Sequence, residues 1–481
     1  MILAVLPELL LLVLAGLVLV FDMLWKDEAA KRNLGWLTAG GTLLILLVSW
    51  GAARPVGDPG PLWGGMIRHD WLGFVFKSIA IFGAGITALF AMDTESLGKK
   101  GEFYILLLTS TIGMAFMASS ADLIMLFLAI ETTSIPLYVL AGFSKADDKS
   151  TEAGFKYLLF GAMTSSVMLY GFSLLYGFAG TTDLYALAQG LASGALAGPA
   201  VAVAGLMVLV GFGFKVSMVP FHFWTPDVYE GSPTPVTGFL STASKAAGFA
   251  VLIRFMLAAF PGVGGSGMEA TLGIMLAVFA AFTMTLGNTI ALVQNNIKRL
   301  LAYSSIAHAG YILIGVVAAT KLGVTSAVFY LIAYLFTNLA AFGVVSIVGR
   351  AVGSDEVTAY SGLSRRSSGL SLAMLVAFLS LAGVPPLGGF VAKVWVFAAA
   401  MNANMIWLAI VGVLNAIVGV YYYLIVLKYV YLYRSDDEDK AIKISRPDAL
   451  ALGILTLGIL LIGTIFAPWW GFADAAAAAL F

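Results

Sequence analysis

Glu131, Lys215, Lys245 and Lys393 are ionisable side chains set deep inside apolar runs. They read "LFLAIETTSIPLYVL", "VLVGFGFKVSMVPF", "FLSTASKAAGFAVL" and "GGFVAKVWVF". A charge at the centre of a bilayer costs roughly 2.5–3.5 kcal/mol on the lenient insertion scale, so each residue needs a reason to be there. A static pair fastening two helices would account for Glu131 and one lysine. It cannot account for three lysines, because one carboxylate leaves two ammonium groups without a carboxylate among these positions. Taken out of water, an ammonium gives up its proton more readily and a carboxylate takes one more readily. The pattern points to a proton relay.

Two of the lysines lie beside breaks. Pro220 follows Lys215, and Pro385–Pro386 with Gly388–Gly389 precedes Lys393. Proline removes a helical donor, and unpaired backbone at membrane depth survives only where protein buries it or a wet cavity meets it. Broken helices at matching places in two halves are the pattern of an ion site in a transporter. His222, Ser241, Thr242, Ser244, Tyr303 and His308 are further candidates for the relay. For each of them singly, a hydrogen bond between helices is the commoner role. The segment "HFWTPDVYEGSPTP" after the first break reads as a structural turn or as a proton intake.

Composition excludes much else. Of 481 residues, 60% are hydrophobic and 11% charged, against roughly 25% charged in soluble domains. The chain therefore belongs in a lipid bilayer. Its formal net charge of zero argues against nucleic acid as a partner. It has no cysteine and only His69, His222 and His308, so thiolate metal sites, iron–sulfur clusters and disulfides are excluded and a histidine metal site is improbable. No phosphate-binding loop or dinucleotide fingerprint is present. The expectation is a chain that binds no cofactor and draws its energy from gradients or partners. Its first apolar run lacks a basic start and a cleavage site, so it reads as a retained helix.

The elements that position these groups are all-α: a polytopic membrane protein of about fourteen spans. They are expected near 2–24, 34–52, 71–92, 103–119, 122–143, 154–179, 200–221, 237–260, 269–293, 300–319, 325–349, 369–401, 404–433 and 449–470. Basic residues concentrate in the loops after odd-numbered spans, from Lys26, Lys31 and Arg32 to Lys440, Lys443 and Arg446. Loops after even-numbered spans carry only Arg54, Arg68 and Lys321. The positive-inside rule puts the basic loops in the cytoplasm and both termini on the outer side. Lys77, Lys156 and Arg254 lie near span ends, where snorkelling would explain them. The broken seventh and twelfth spans are five apart, which suggests two inverted five-helix repeats, spans 4–8 and 9–13. The single membrane domain then divides at 1–100, 101–260, 261–433 and 434–481.

Three segments carry a family resemblance: "FKVSMVPFHFWTPDVYEGSPTPV", "NNIKRLLAYSSIAHAGYILIG" and "LAGVPPLGGFVAKVWVF". The chain resembles the antiporter-like membrane subunits of complex I, the proton-pumping NADH:quinone oxidoreductase, along essentially all fourteen spans. "FKYLLFGAMTSSVMLYGFSLLYGFAGTTDL" and "YLIAYLFTNLAAFGVVSIVG" look most like one of the three sister subunits. The absence of a long lateral helix, and Lys393 where another sister is expected to carry glutamate, set the chain apart from the other two. The resemblance implies a bacterial-type inner membrane, other membrane subunits as neighbours, and FMN, iron–sulfur clusters and quinone held elsewhere in the complex. It implies that Glu131 and Lys215 interact in a first half-channel. Lys245 then connects to Lys393, with His308 on the relay between them. A cation/proton antiporter subunit of the multi-subunit type, a ferredoxin- or hydrogenase-linked relative, and a purely structural scaffold are the competing readings.

Overall fold

The computed structural model describes residues 2–57, 60–193, 198–261, 268–435, 437 and 439–481. Among them the only sheet is a two-stranded hairpin, Pro61–Leu62 against Ile67–Arg68; the remaining regular structure is helical. Among the described residues, thirteen helices are long and apolar enough to cross a membrane. The expected twelfth span is two shorter apolar helices, Ser368–Ala382 and Gly388–Asn402, separated at the Val384–Leu387 break. The chain is a polytopic all-α membrane protein.

Local chemistry fixes where helices begin and end. Asp122 accepts hydrogen bonds from the amides of Ile124 and Met125 at the head of the fifth span, Leu123–Ala141. Asn296 does the same for Lys298 and Arg299 at the head of the tenth, Ile297–Val317. Such side chains satisfy donors that the helix itself leaves open. Gly180 and Gly353, at φ 70° and 72°, close the sixth and eleventh spans, where a left-handed residue is needed.

Burial sorts the spans into axis and rim. The eighth (Thr234–Ala259), tenth and eleventh (Lys321–Val352) are enclosed by other helices along nearly their whole apolar length. The first, second and sixth present leucine, valine and phenylalanine outward. Span 4 packs on 5, 5 on 6, 6 on 7, 7 on 8 and 8 back on 4; spans 9 to 13 repeat that order of neighbours. A further helix, Ala467–Ala478, packs on span 11.

Two of the three charges expected to snorkel do not. Arg254 is 1% exposed; its guanidinium holds Asp70 through two hydrogen bonds of 2.6 and 2.8 Å and also reaches Tyr185 and the Ala118 carbonyl. Lys77 is buried 2.7 Å from Glu8 and donates to the Ala4 carbonyl at 2.8 Å. Their partners lie on distant stretches of chain, so position within a span misleads. Lys156 alone behaves as a surface cation, partly exposed between Glu152 and Asp227.

Candidate functional site: a buried polar axis

The seventh span ends where its proline predicts trouble. Helix Gly198–Val216 stops one residue after Lys215, Ser217 turns at φ 62°, and helix Trp224–Gly231 resumes beyond the break. Lys215 therefore occupies the last turn of a half-helix, where carbonyls lack intrahelical partners and a cation is favoured. Its ammonium donates to Ser134 Oγ, and Ser134 donates in turn to the Ile130 carbonyl. Glu131 lies one turn before Ser134 on the same helix, with Oε1 buried and unpartnered. Glu131 and Lys215 thus share a neighbourhood without forming an ion pair within 4.0 Å. The close approach of span 8 depends on Gly248, where a Cβ would stand 3.2 Å from Lys215 Cβ.

Lys245 opens the regular part of span 8, directly after a π-helical turn at Leu240–Ser244. Such turns are frequent at functional sites. Its ammonium donates to both oxygens of Ser305, at 2.9 Å to the carbonyl and 2.6 Å to Oγ. His308 follows three residues later on the same face of span 10. Its Nδ1 meets Tyr330 at 2.8 Å and its Nε2 meets Tyr423 at 3.1 Å; Tyr423 also bonds Ser304.

Lys393 stands one turn into the second half of span 12 and reaches back across the break. It donates to the Leu381 and Ala382 carbonyls at 2.8 and 3.0 Å, and lies 5.2 Å above the Tyr311 ring. Those carbonyls end the first half-helix. Sequence placed one lysine before its break and the other after it; Lys215 lies in the last turn before its break, and Lys393 reaches back to the last carbonyls before its own. Gly383, at φ 87°, makes the room, since a Cβ there would fall 2.9 Å from Lys393 Cδ.

Five of the six expected relay residues lie on spans 5, 7, 8, 10 and 12, and the lysines tie span 7 to span 5, span 8 to span 10 and the two halves of span 12 to each other. His222 lies beyond the Pro220 break, buried, with Nδ1 unpartnered. Burial lowers its proton affinity, and the Pro220 carbonyl only partly opposes this. Ser241 and Thr242 turn back on the Gly238 carbonyl. Sequence reasoning missed Ser134, Ser305, Tyr311, Tyr330, Tyr423 and Asn338, which bonds Ser241 at 2.8 Å. The hydroxyl of Ser217 is buried without a partner among the described residues. Among the described residues, no cluster of His, Asp and Glu could hold a metal ion.

The segment after the first break is clamped by charge. Asp227 binds Lys156 and Arg299; Glu230 binds Lys149 and Arg299. Burial alone would raise both carboxyls, but these cations outweigh it and hold them below the usual carboxylate range. The clamp's stabilisation is therefore present above the ordinary carboxylate value of about 4 and is lost as pH falls through the lowered folded values. Hydrogen exchange in residues 217–233, corrected for its intrinsic rate, should stay constant through the neutral range and accelerate only in stronger acid. Beside the clamp, a cavity of about 320 Å³ is lined by Ser232, Thr234, Lys298 and Asp355 among others.

Residues 120–419 match a family profile described as "NADH:quinone oxidoreductase/Mrp antiporter, TM". The NADH-quinone oxidoreductase subunit N of Moorella thermoacetica is 41% identical over 97% of this chain and 96% of its own length. The chain belongs to the NADH-quinone oxidoreductase subunit N family. The subunit N of Heliobacterium modesticaldum is 42% identical over 96% of each chain. A chain of Thermus thermophilus respiratory complex I, solved with bound aureothin, superposes with a TM-score of 0.80 at 32% identity, over 97% of this chain and 98% of that one. A chain of the Mrp complex of a Dietzia species has a TM-score of 0.86 at 23% identity, over 100% of this chain and 97% of that one, which shows a shared fold. Within the subunit N family the buried lysines and the two broken spans now have a setting, a proton-translocating membrane enzyme.

Proposed function

We propose that this chain is a proton-translocating membrane subunit of an NADH-quinone oxidoreductase. Partner subunits hold the flavin, the iron–sulfur clusters and the quinone, and this chain moves protons along Glu131, Lys215, Lys245, His308 and Lys393. The observation that carries the reading is the state of the three lysines. Each is buried, each is bonded to hydroxyls or carbonyls, and among the described residues none has a carboxylate within 4.0 Å. An ammonium held that way has no fixed counter-charge, so a nearby charge can decide its protonation. Opposite charges 4 Å apart are worth about 4 kcal/mol at an effective dielectric near 20, which is about a thousandfold in proton affinity.

In this mechanism a signal from the neighbouring subunits changes the separation of Glu131 and Lys215. With the carboxylate close, Lys215 holds its proton; with it distant, the proton passes toward Lys245 and Lys393. The matching order of neighbours in spans 4–8 and 9–13 supports an inverted repeat with one half-channel in each copy. The basic loops face the cytoplasm, both termini lie outside, and His222 with the clamped connector stands at the cytoplasmic mouth.

The test is proton yield per electron in the assembled complex. Lys215→Ala, Lys393→Ala and Glu131→Gln should each lower the yield while leaving assembly intact. A yield equal to wild type in the two lysine variants would sink the reading.

A further inference from the structure

We infer that Ser134 is a positioning residue of the relay: it is the second seat of Lys215, and the ammonium swings between Glu131 and Ser134. This rests on the relay reading above and deepens it. Glu131 and Ser134 are three residues apart on one helix, hence neighbours on one face, separated by about 4.5 Å along the axis. A lysine side chain spans that difference by a change of rotamer alone. In the structure Lys215 sits on Ser134, while the Oε1 of Glu131 is buried without a partner. The vacated carboxylate and the occupied hydroxyl are two ends of one short movement.

The chemistry of the two seats differs in the way a switch needs. A carboxylate accepts only, and it favours the charged ammonium strongly. The Ser134 hydroxyl spends its proton on the Ile130 carbonyl and offers lone pairs to Lys215. It can also rotate and donate to a neutral amine, so it accommodates Lys215 before and after proton loss. Without that hydroxyl, leaving Glu131 would strand a buried ammonium with no acceptor, a state that costs more than an ordinary lost hydrogen bond. The lysine would then stay on the carboxylate and keep its proton. Lys245 likewise rests on a serine hydroxyl, that of Ser305.

A matched pair of variants isolates the hydroxyl. Ser134→Thr and Ser134→Val have nearly the same shape, so any crowding at this fully buried site is common to both. In the assembled complex, Ser134→Thr should keep the wild-type proton yield per electron, and Ser134→Val should fall to the level of Lys215→Ala. In a Glu131→Gln background, Ser134→Val should cause no further loss, because the carboxylate from which Lys215 must be released is gone. A merely structural serine would lower the yield equally in both backgrounds. Wild-type yield in Ser134→Val, beside a defective Lys215→Ala, overturns the inference and leaves the relay standing. Equal loss in the threonine and valine variants overturns it too. Wild-type yield in Lys215→Ala removes the relay and this seat together.

Discussion

Arg254→Ala should stop this chain from accumulating in the membrane. The guanidinium it removes is the hydrogen-bonded partner of Asp70, a carboxylate 4% exposed and enclosed by spans 3 and 8 and the Leu184–Ser193 helix, and Arg68, 3.8 Å from Asp70, makes no such bidentate contact. Breaking a buried pair by deleting one partner typically costs about 3–5 kcal/mol, because the other charge stays behind. Asp70 is held in place, since Oδ1 also accepts the Gly73 amide at 2.8 Å and starts the third span. The double variant Asp70→Asn/Arg254→Met keeps that cap and removes both charges, so it should recover most of the lost stability. Membrane-inserted protein and thermal unfolding in detergent measure both effects. A single variant as abundant and as stable as wild type contradicts the clamp.

Gly389→Val should disable the second half of the relay as completely as loss of Lys393 itself. A Cβ at position 389 would fall 1.9 Å from the Ser380 carbonyl oxygen, and that atom is backbone of the opposing half-helix. The seam is pinned as well, because Ser380 Oγ accepts the Gly389 amide at 3.0 Å and meets Thr337 of span 11 at 3.1 Å. Any side chain at 389 must push the two halves apart. Overpacking costs about 1–3 kcal/mol, but the functional loss should exceed that. Lys393, one turn further on, would be carried off the Leu381 and Ala382 carbonyls. Ser380→Ala is the control: it deletes the hydroxyl without a clash, and should lower proton yield less than Gly389→Val. The reverse order would show that the hydroxyl matters more than the close approach.

The spans, the two breaks and the buried lysines were legible because lipid penalises each exception heavily. A glutamate or lysine in fifteen apolar residues announces itself, as does a Pro-Pro pair. What escaped was pairing. Arg254 and Lys77 looked like snorkelling cations because their helix positions allowed it, while Asp70 sits in a connection and Glu8 in the first span. Glu8 was itself a signal, an acid inside "LPELLLLVLAGLVLV", and it had a partner to find. Ser134 and Ser305 were invisible for another reason. A serine in a helix can bond its own backbone, as Ser134 does, or a neighbouring helix, and only the approach of a lysine from another span distinguishes these two. The π-helical turn before Lys245 left no mark in hydropathy at all.

The split of the twelfth span also bears on how the chain is held together. Ser368–Ala382 and Gly388–Asn402 have 15 residues each, about 22 Å of helix against a hydrocarbon core of about 30 Å. Neither half reaches across by itself, and the backbone at the break finds its partners in side chains, the Leu381 and Ala382 carbonyls in Lys393 and the Gly389 amide in Ser380. The segment is therefore held by contacts on both sides of its break. Span 11 receives Ser380, and Lys393 satisfies the last carbonyls of the first half. The two halves of the span are thus fastened in opposite directions along the chain: Ser380 to a residue that precedes it, Thr337, and the last carbonyls of the first half to one that follows, Lys393.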